Sequence, residues 1–238
     1  MGRAFEVRKV AMAKTAATKS KLYAKFGREI YLAAKSGTPD PDTNQTLKRM
    51  IEKAKREQVP ADVIKRNIDK AKGGGEDNLS SIRYEGFGPG NSMLIVECLT
   101  DNVNRTISEV RNCFTKTGGK LGISGSVVHQ FNHQAVFSMK GITEDEVLEI
   151  LVGNDLDVSD IESDEEGVTI YSDASNFSTI RITFNEARPE LEYDTEQIMW
   201  LPIMETTLDS EDQEKFERLT NMLDELDDVQ DVFHNVAL

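Results

Sequence analysis

Residues 83–131, RYEGFGPGNSMLIVECLTDNVNRTISEVRNCFTKTGGKLGISGSVVHQF, constrain the fold most. Residues 83–86 and 92–99 read as two strands around the turn cluster Gly88-Pro89-Gly90-Asn91. Residues 102–117 read as a helix. Asp101 or Asn102 can cap it, and Val103, Ile107, Val110 and Phe114 recur at helical spacing. Gly118-Gly119 stops it, because glycine accepts the left-handed backbone that closes a helix. Residues 126–131 read as a further strand. A unit of strand, strand, helix, strand needs one more helix and strand to cover its sheet. The chain supplies them at its far end: residues 210–226, amphipathic on Phe216, Leu219, Leu223 and Leu226, then a strand over 229–236.

Between these parts lies a second periodic block. Strands are expected over 134–139, 157–163, 167–171 and 190–199, and helices over 144–152 and 175–187. That order, strand, helix, strand, strand, helix, strand, is ferredoxin-like. The expected fold is therefore α+β in three domains. A small basic helical domain covers 1–79. A discontinuous α/β domain covers 80–132 plus 203–238, and an inserted ferredoxin-like α/β domain covers 133–202, both α/β domains being of ferredoxin-like type.

The first domain reads as a basic arm followed by three helices. Leu22, Phe26, Ile30 and Ala33 mark the first helix, over 21–36. Leu47, Met50, Ile51 and Ala54 mark the second, over 43–57. Val63, Ile64, Ile68 and Ala71 mark the third, which Pro60 begins and Gly73-Gly74-Gly75 ends. The short turn between the last two makes a helix-turn-helix conceivable, although most such pairs are helical hairpins.

Charge separates the chain more sharply than composition does. Residues 1–75 hold 18 Lys and Arg against 8 Asp and Glu; the remainder holds 10 against 34. A chain of net charge −14 thus begins with a segment of +10. Such asymmetry suggests a basic head for an anionic partner on an acidic body, or two halves that attract each other. The candidate phosphate-binding cations are Arg3, Arg8, Lys9 and Lys14 on the arm, and Lys21, Lys25 and Arg28 on the first helix. Arg49, Lys53 and Arg56 follow on the second helix, and Lys65, Arg66 and Lys70 on the third. If about six phosphates are engaged, the log of affinity falls with a slope near −5 in log salt, at ~0.9 per phosphate. Phe5, Tyr23 and Tyr31 are candidates for stacking on bases, or for packing. Phosphate contacts do not choose between DNA and RNA.

Other chemistry finds little support. His129 and His133 stand four apart on a strand and its exit, where that spacing does not bring them to one face. No CxxC or HExxH occurs, so no metal and no cofactor are expected. Gly118, Gly119, Gly122 and Gly125 read as a helix stop and tight turn rather than a phosphate cradle, since they follow a helix. The acidic runs at 160–166, 186–194, 209–217 and 224–231 read as solvated charge. Cys98 and Cys113 read as buried thiols in a reducing compartment. No membrane span is present and the expected location is the cytoplasm. An enzyme is not expected, nor a small-molecule substrate. Asn104 and Arg105 are candidate partner contacts, and so are Tyr84 and Phe87 in the glycine-rich hairpin.

The central motif is also similar to that of a known family. Tyr84-Glu85-Gly86-Phe87-Gly88-Pro89-Gly90, then Glu97-Cys98-Leu99-Thr100-Asp101-Asn102 with Asn104-Arg105-Thr106, then Gly118-Gly119 and Gly125-Ser126-Val127, resemble the YebC/PmpR signature. The resemblance extends from Gly2 to about Val236, so no removable leader is expected. Arg3-Ala4-Phe5-Glu6-Val7 stands where many relatives have a His-Ser-Lys-Trp-Ala-like opening. The resemblance implies three domains with the helical one first. It implies a DNA-binding transcriptional regulator or, alternatively, a ribosome-associated translation factor that binds rRNA or tRNA.

Overall fold

A computed structural model describes residues 19–73 and 79–237. The expected arm with Arg3, Phe5, Arg8, Lys9 and Lys14, and the glycines at 74 and 75, lie outside the described residues. The fold is mixed α+β: a three-helix region followed by two four-stranded sheets with helices. It forms two compact units. One is built on residues 17–127 and 208–232, the other on 128–207 and 233–238.

The first unit opens with α1 (Lys19–Lys35), α2 (Gln45–Arg56) and α3 (Ala61–Lys72). Their apolar faces meet in a core of Phe26, Ile30, Ala34, Leu47, Ala54, Ile64 and Ile68. No one of these helices is long enough to hold without that burial. Asn44 joins two of them. Its Oδ1 accepts from the Leu47 N–H at 3.0 Å, capping α2, and its Nδ2 donates to the carbonyls of Ala33 and Thr38, each at 2.8 Å.

β1 (Ser80–Phe87) and β2 (Met93–Thr100) form an antiparallel hairpin in register from Ser80↔Thr100 to Phe87↔Met93. The turn is one 3-10 turn, Pro89–Asn91, in which Gly90 has φ +58°. Asn102 caps α4 (Val103–Lys116) by accepting from the Arg105 N–H at 3.1 Å. Val110, Cys113 and Phe114 of α4 are buried, whereas Val103, expected on the apolar stripe, is 44% exposed in the first turn. β3 is only Lys120–Leu121 and pairs antiparallel with β1.

The strand expected over 126–131 does not form. Val128–Gln130 is a 3-10 turn, and Phe131 instead begins β4. The reason is a turn held by an acceptor from far along the chain. Gly125 has φ +88°, and the N–H groups of Gly125 and Val127 donate to the Glu85 carboxylate rather than to a ladder.

The second unit carries β4 (Phe131–Lys140), α5 (Glu144–Gly153), β5 (Asp160–Asp164), β6 (Gly167–Asp173), α6 (Phe177–Ala187) and β7 (Glu192–Pro202). Its sheet runs β5-β6-β4-β7, and all three pairings are antiparallel. Phe137, Met139 and Ile170 on one face pack under Val147, Leu151, Ile180 and Phe184 of the two helices. Thr143 and Glu146 close a capping box at the start of α5. The tryptophan, Trp200 on β7, stacks on His133 of β4 with ring centroids 4.1 Å apart.

The chain then returns to the first unit through α7 (Ser210–Asp224) and β8 (Val229–His234). The first sheet runs β3-β1-β2-β8. Phe216, Leu219 and Leu223 of α7 are buried, as are Phe114 of α4 and Leu94, Ile95 and Val96 of β2. The elements around this sheet run strand, strand, helix, strand and then helix and strand, so the ferredoxin-like type expected of this domain does not extend to the β-α-β-β-α-β order.

Candidate nucleic-acid interface

The cations of the three helices fall into two sets. Those of α1 turn toward the chain's own acids. Lys25 Nζ donates to the Gln230 carbonyl and lies 3.4 Å from Asp231 Oδ1. Arg28 Nη1 donates to the Asp227 carbonyl and lies 3.0 Å from Asp228 Oδ1, an ion pair out of hydrogen-bond alignment. Lys21 is half-buried. Burial lowers its ammonium pKa, against the opposing pull of Asp224, Asp227 and Glu225.

The cations of α2 and α3 are more open. Lys48, Lys55 and Arg56 are exposed on α2, and Lys65, Arg66, Lys70 and Lys72 on α3. Arg49 and Lys53 are half-buried, not outermost as the stripe suggested, and Arg49 bonds its own helix at Gln45 O and Thr46 Oγ1, each at 3.3 Å. Arg66 pairs with Asp62 and Lys72 with Asp69, each at 3.3 Å and well exposed, so both pairs are weak. Among the described residues no ion pair joins Lys55 or Lys65 to a carboxylate. These two, with Lys72, rim an open groove of about 570 Å³ whose floor is Ala61, Ile64 and Ile68. Asp40 and Asp69 also line it.

The aromatic candidates in this region serve packing. Tyr31 is buried, with Lys35 Nζ and Lys70 Nζ 5.4 and 5.5 Å from its ring centroid. Tyr23 is half-buried against the helical core. Neither presents an open face for a base.

The central motif is organised by two carboxylates that sequence reasoning missed. Asp228 has a side chain 1% exposed. Its Oδ2 accepts from Thr106 Oγ1 at 2.7 Å, Arg105 Nη2 at 2.7 Å and Thr100 Oγ1 at 3.0 Å. Arg105 also pairs with Asp101 at 2.8 Å. Burial pushes the Asp228 carboxyl up, but these donors and the nearby Arg28 charge hold it below its ordinary value. Arg105 is thus a structural partner whose side chain stays 42% exposed, and its guanidinium pKa is raised, first by the Asp228 hydrogen bond. The run 224–231 is therefore not all solvated charge. No local pattern marked Asp228; the signal lay in two threonines and an arginine needing a buried acceptor.

Glu85 is the second carboxylate. It is buried in β1 and accepts from the N–H of Gly125 at 2.8 Å and of Val127 at 2.7 Å, while its carbonyl takes the Gly122 N–H at 2.8 Å. Donors that would cradle a phosphate here hold the chain's own acid instead. Of the remaining motif candidates, Tyr84 is buried, Phe87 is half-buried beneath Lys120 Nζ at 5.5 Å, and Asn104 is exposed at the start of α4. Asn104 alone among them is open to a partner.

Cys98 and Cys113 are free and buried, and burial pushes the Cys98 thiol up to about 12. Among the described residues, no three His, Cys, Asp or Glu side chains group as a metal site, and no helix is long and apolar enough to cross a membrane.

Comparison with known proteins covers nearly the whole chain. Residues 3–74 match the TACO1/YebC protein N-terminal domain, and residues 79–236 match the TACO1/YebC second and third domain. A protein of Acholeplasma laidlawii named "Probable transcriptional regulatory protein" is 59% identical over 99% of this chain and 98% of its own length. One of the same name from Alteromonas mediterranea is 54% identical over 100% and 99%. Among solved structures, the conserved hypothetical protein Aq1575 from Aquifex aeolicus superposes with a TM-score of 0.78 at 35% identity, over 94% of this chain and 93% of that one.

Proposed function

The chain belongs to the TACO1/YebC family, and from that premise we propose a non-enzymatic regulator of gene expression that grips nucleic acid by its phosphate backbone. The names of its relatives support regulation of transcription, and DNA is the target on that reading. One observation carries the proposal: α2 and α3 expose Lys48, Lys55 and Lys65 on a head that is basic overall, and among the described residues no ion pair joins any of the three to a carboxylate. These cations, with Arg56, Arg66 and Lys70, form the proposed binding face. Arg49 and Lys53 serve at its margin. Asn104 is a separate candidate contact. The two free, buried cysteines support a cytoplasmic location. The element order of the second sheet supports the reading of 133–202 as a ferredoxin-like domain inserted between 80–132 and 203–238, behind a helical domain at 1–79.

The test is a titration with labelled duplex DNA and with structured RNA across a salt series. Lys55→Glu with Lys65→Glu removes two exposed cations outside the helical core. Affinity falls by at least about tenfold and the salt slope shrinks by about 2, at ~0.9 per phosphate. Unchanged affinity, with an unchanged circular dichroism spectrum, rejects this face. Tighter binding of RNA than of DNA moves the target to RNA without moving the face.

A further inference from the structure

We propose that the face of α1 bearing Lys21, Lys25 and Arg28 is a second polyanion-binding surface, covered in this conformation by the chain's own acidic segment at 224–231, which runs from the end of α7 through a turn into β8. The inference rests on the nucleic-acid reading above and deepens it. Three observations point the same way. First, the contacts are those a phosphate backbone would make. Lys25 and Arg28 each engage a backbone carbonyl and a carboxylate of the turn, at Gln230 with Asp231 and at Asp227 with Asp228. Second, the three cations lie at i, i+4 and i+7 of one helix, so they share one face and can track successive anionic groups. Third, the covering segment is four-sevenths acidic from Asp224 to Gln230, and Asp224, Glu225 and Asp227 remain exposed.

The Lys25–Asp231 pair, and the cation side of the Arg28–Asp228 pair, are accessible to competition. The Lys25 and Arg28 side chains are 26% and 25% exposed, against 23% for Asp231, so water and salt already reach them. Asp228 differs, because Arg105, Thr100 and Thr106 hold it independently of Arg28. Release of Arg28 costs Asp228 Oδ1 its ion pair, while the donors on Oδ2 keep the motif around Asp228 assembled. A polyanion exchanges one set of acceptors for another at these cations, and the acidic turn sets how strong that polyanion must be.

Asp227→Asn with Asp231→Asn weakens the cover and leaves Asp228 in place. Binding of the full-length chain to a 20-base-pair duplex is measured by fluorescence anisotropy between 50 and 200 mM salt. The variant binds on the order of tenfold tighter, and its salt slope steepens by about 2 as further phosphates are engaged at ~0.9 each. Asp145→Asn with Glu149→Gln, on α5 in the other unit, changes net charge equally and leaves the slope as it was. Lys25→Gln with Arg28→Gln barely changes the affinity of the native chain, yet abolishes the gain when combined with the Asp227/Asp231 changes. Binding that persists without any gain, or a gain equal to that of the control, overturns this inference alone. Loss of all duplex and RNA binding in every variant and in the native chain overturns the functional reading with it.

Discussion

At the scale of single residues, Asp228 matters most. It is a buried carboxylate in an acidic run, with a guanidinium and two hydroxyls as donors. Its pKa is held below the ordinary value, so its contribution to stability is present above the unfolded value of about 3.9 and is lost as pH falls through the folded value. Urea melts between pH 7 and pH 3 should show the native midpoint declining only in the acidic part of that range. Asp228→Asn loses about 3 kcal/mol already at pH 7, because it leaves Arg105 without its buried partner, and its acid-side decline is shallower. A variant as stable as the native chain at pH 7 would mean that Arg105 satisfies itself through Asp101 alone. The acid composition of the run hid this residue: the same aspartate letter stands for solvated charge at position 224 and for a structural acceptor at 228.

At the scale of elements, the hairpin and the glycine loop form one piece through Glu85. Glu85→Gln keeps one acceptor oxygen but turns an amide donor toward a backbone donor. The expected cost is about 1–3 kcal/mol, with the amides of Gly125 and Val127 exchanging hydrogen much faster. Exchange measured by mass spectrometry on the peptide covering 122–128 checks this; protection as in the native chain counts against the clamp. Gly86 is fixed by the same packing, because a Cβ there would stand 2.4 Å from Cε1 of Phe114. Gly86→Ala therefore lowers stability by about 1–3 kcal/mol, read as a lower urea midpoint, through strain rather than lost contact. These elements also show what the sequence discloses. Periodicity located all three helices of the head within two residues at each end, since their stripes face a single core. It placed a strand at 126–131 that does not exist, because β-branched Val127 and Val128 favour a strand while Glu85, forty residues away, takes the N–H groups of Gly125 and Val127.

At the scale of the whole molecule, charge was legible and its destination was not. Counting cations gave a basic head, but no local pattern told that α1 would meet residues 224–231 while α2 and α3 stay open. The consequence is quantitative. With Arg66 paired to Asp62 and Lys70 held over Tyr31, about four cations of the proposed face are effective rather than six, and the log–log salt slope for duplex binding is near −3.5, not −5, at ~0.9 per phosphate. A slope of −5 or steeper in the native chain would show α1 already engaged. The stack of Trp200 on His133 has a practical outcome as well. The chain's one indole sits in the unit built on 128–207, whereas Tyr23 and Tyr31 sit in the other. Emission excited at the red edge therefore follows the melting of β4 and β7 without interference from the head, and gives that one unit an optical clock of its own.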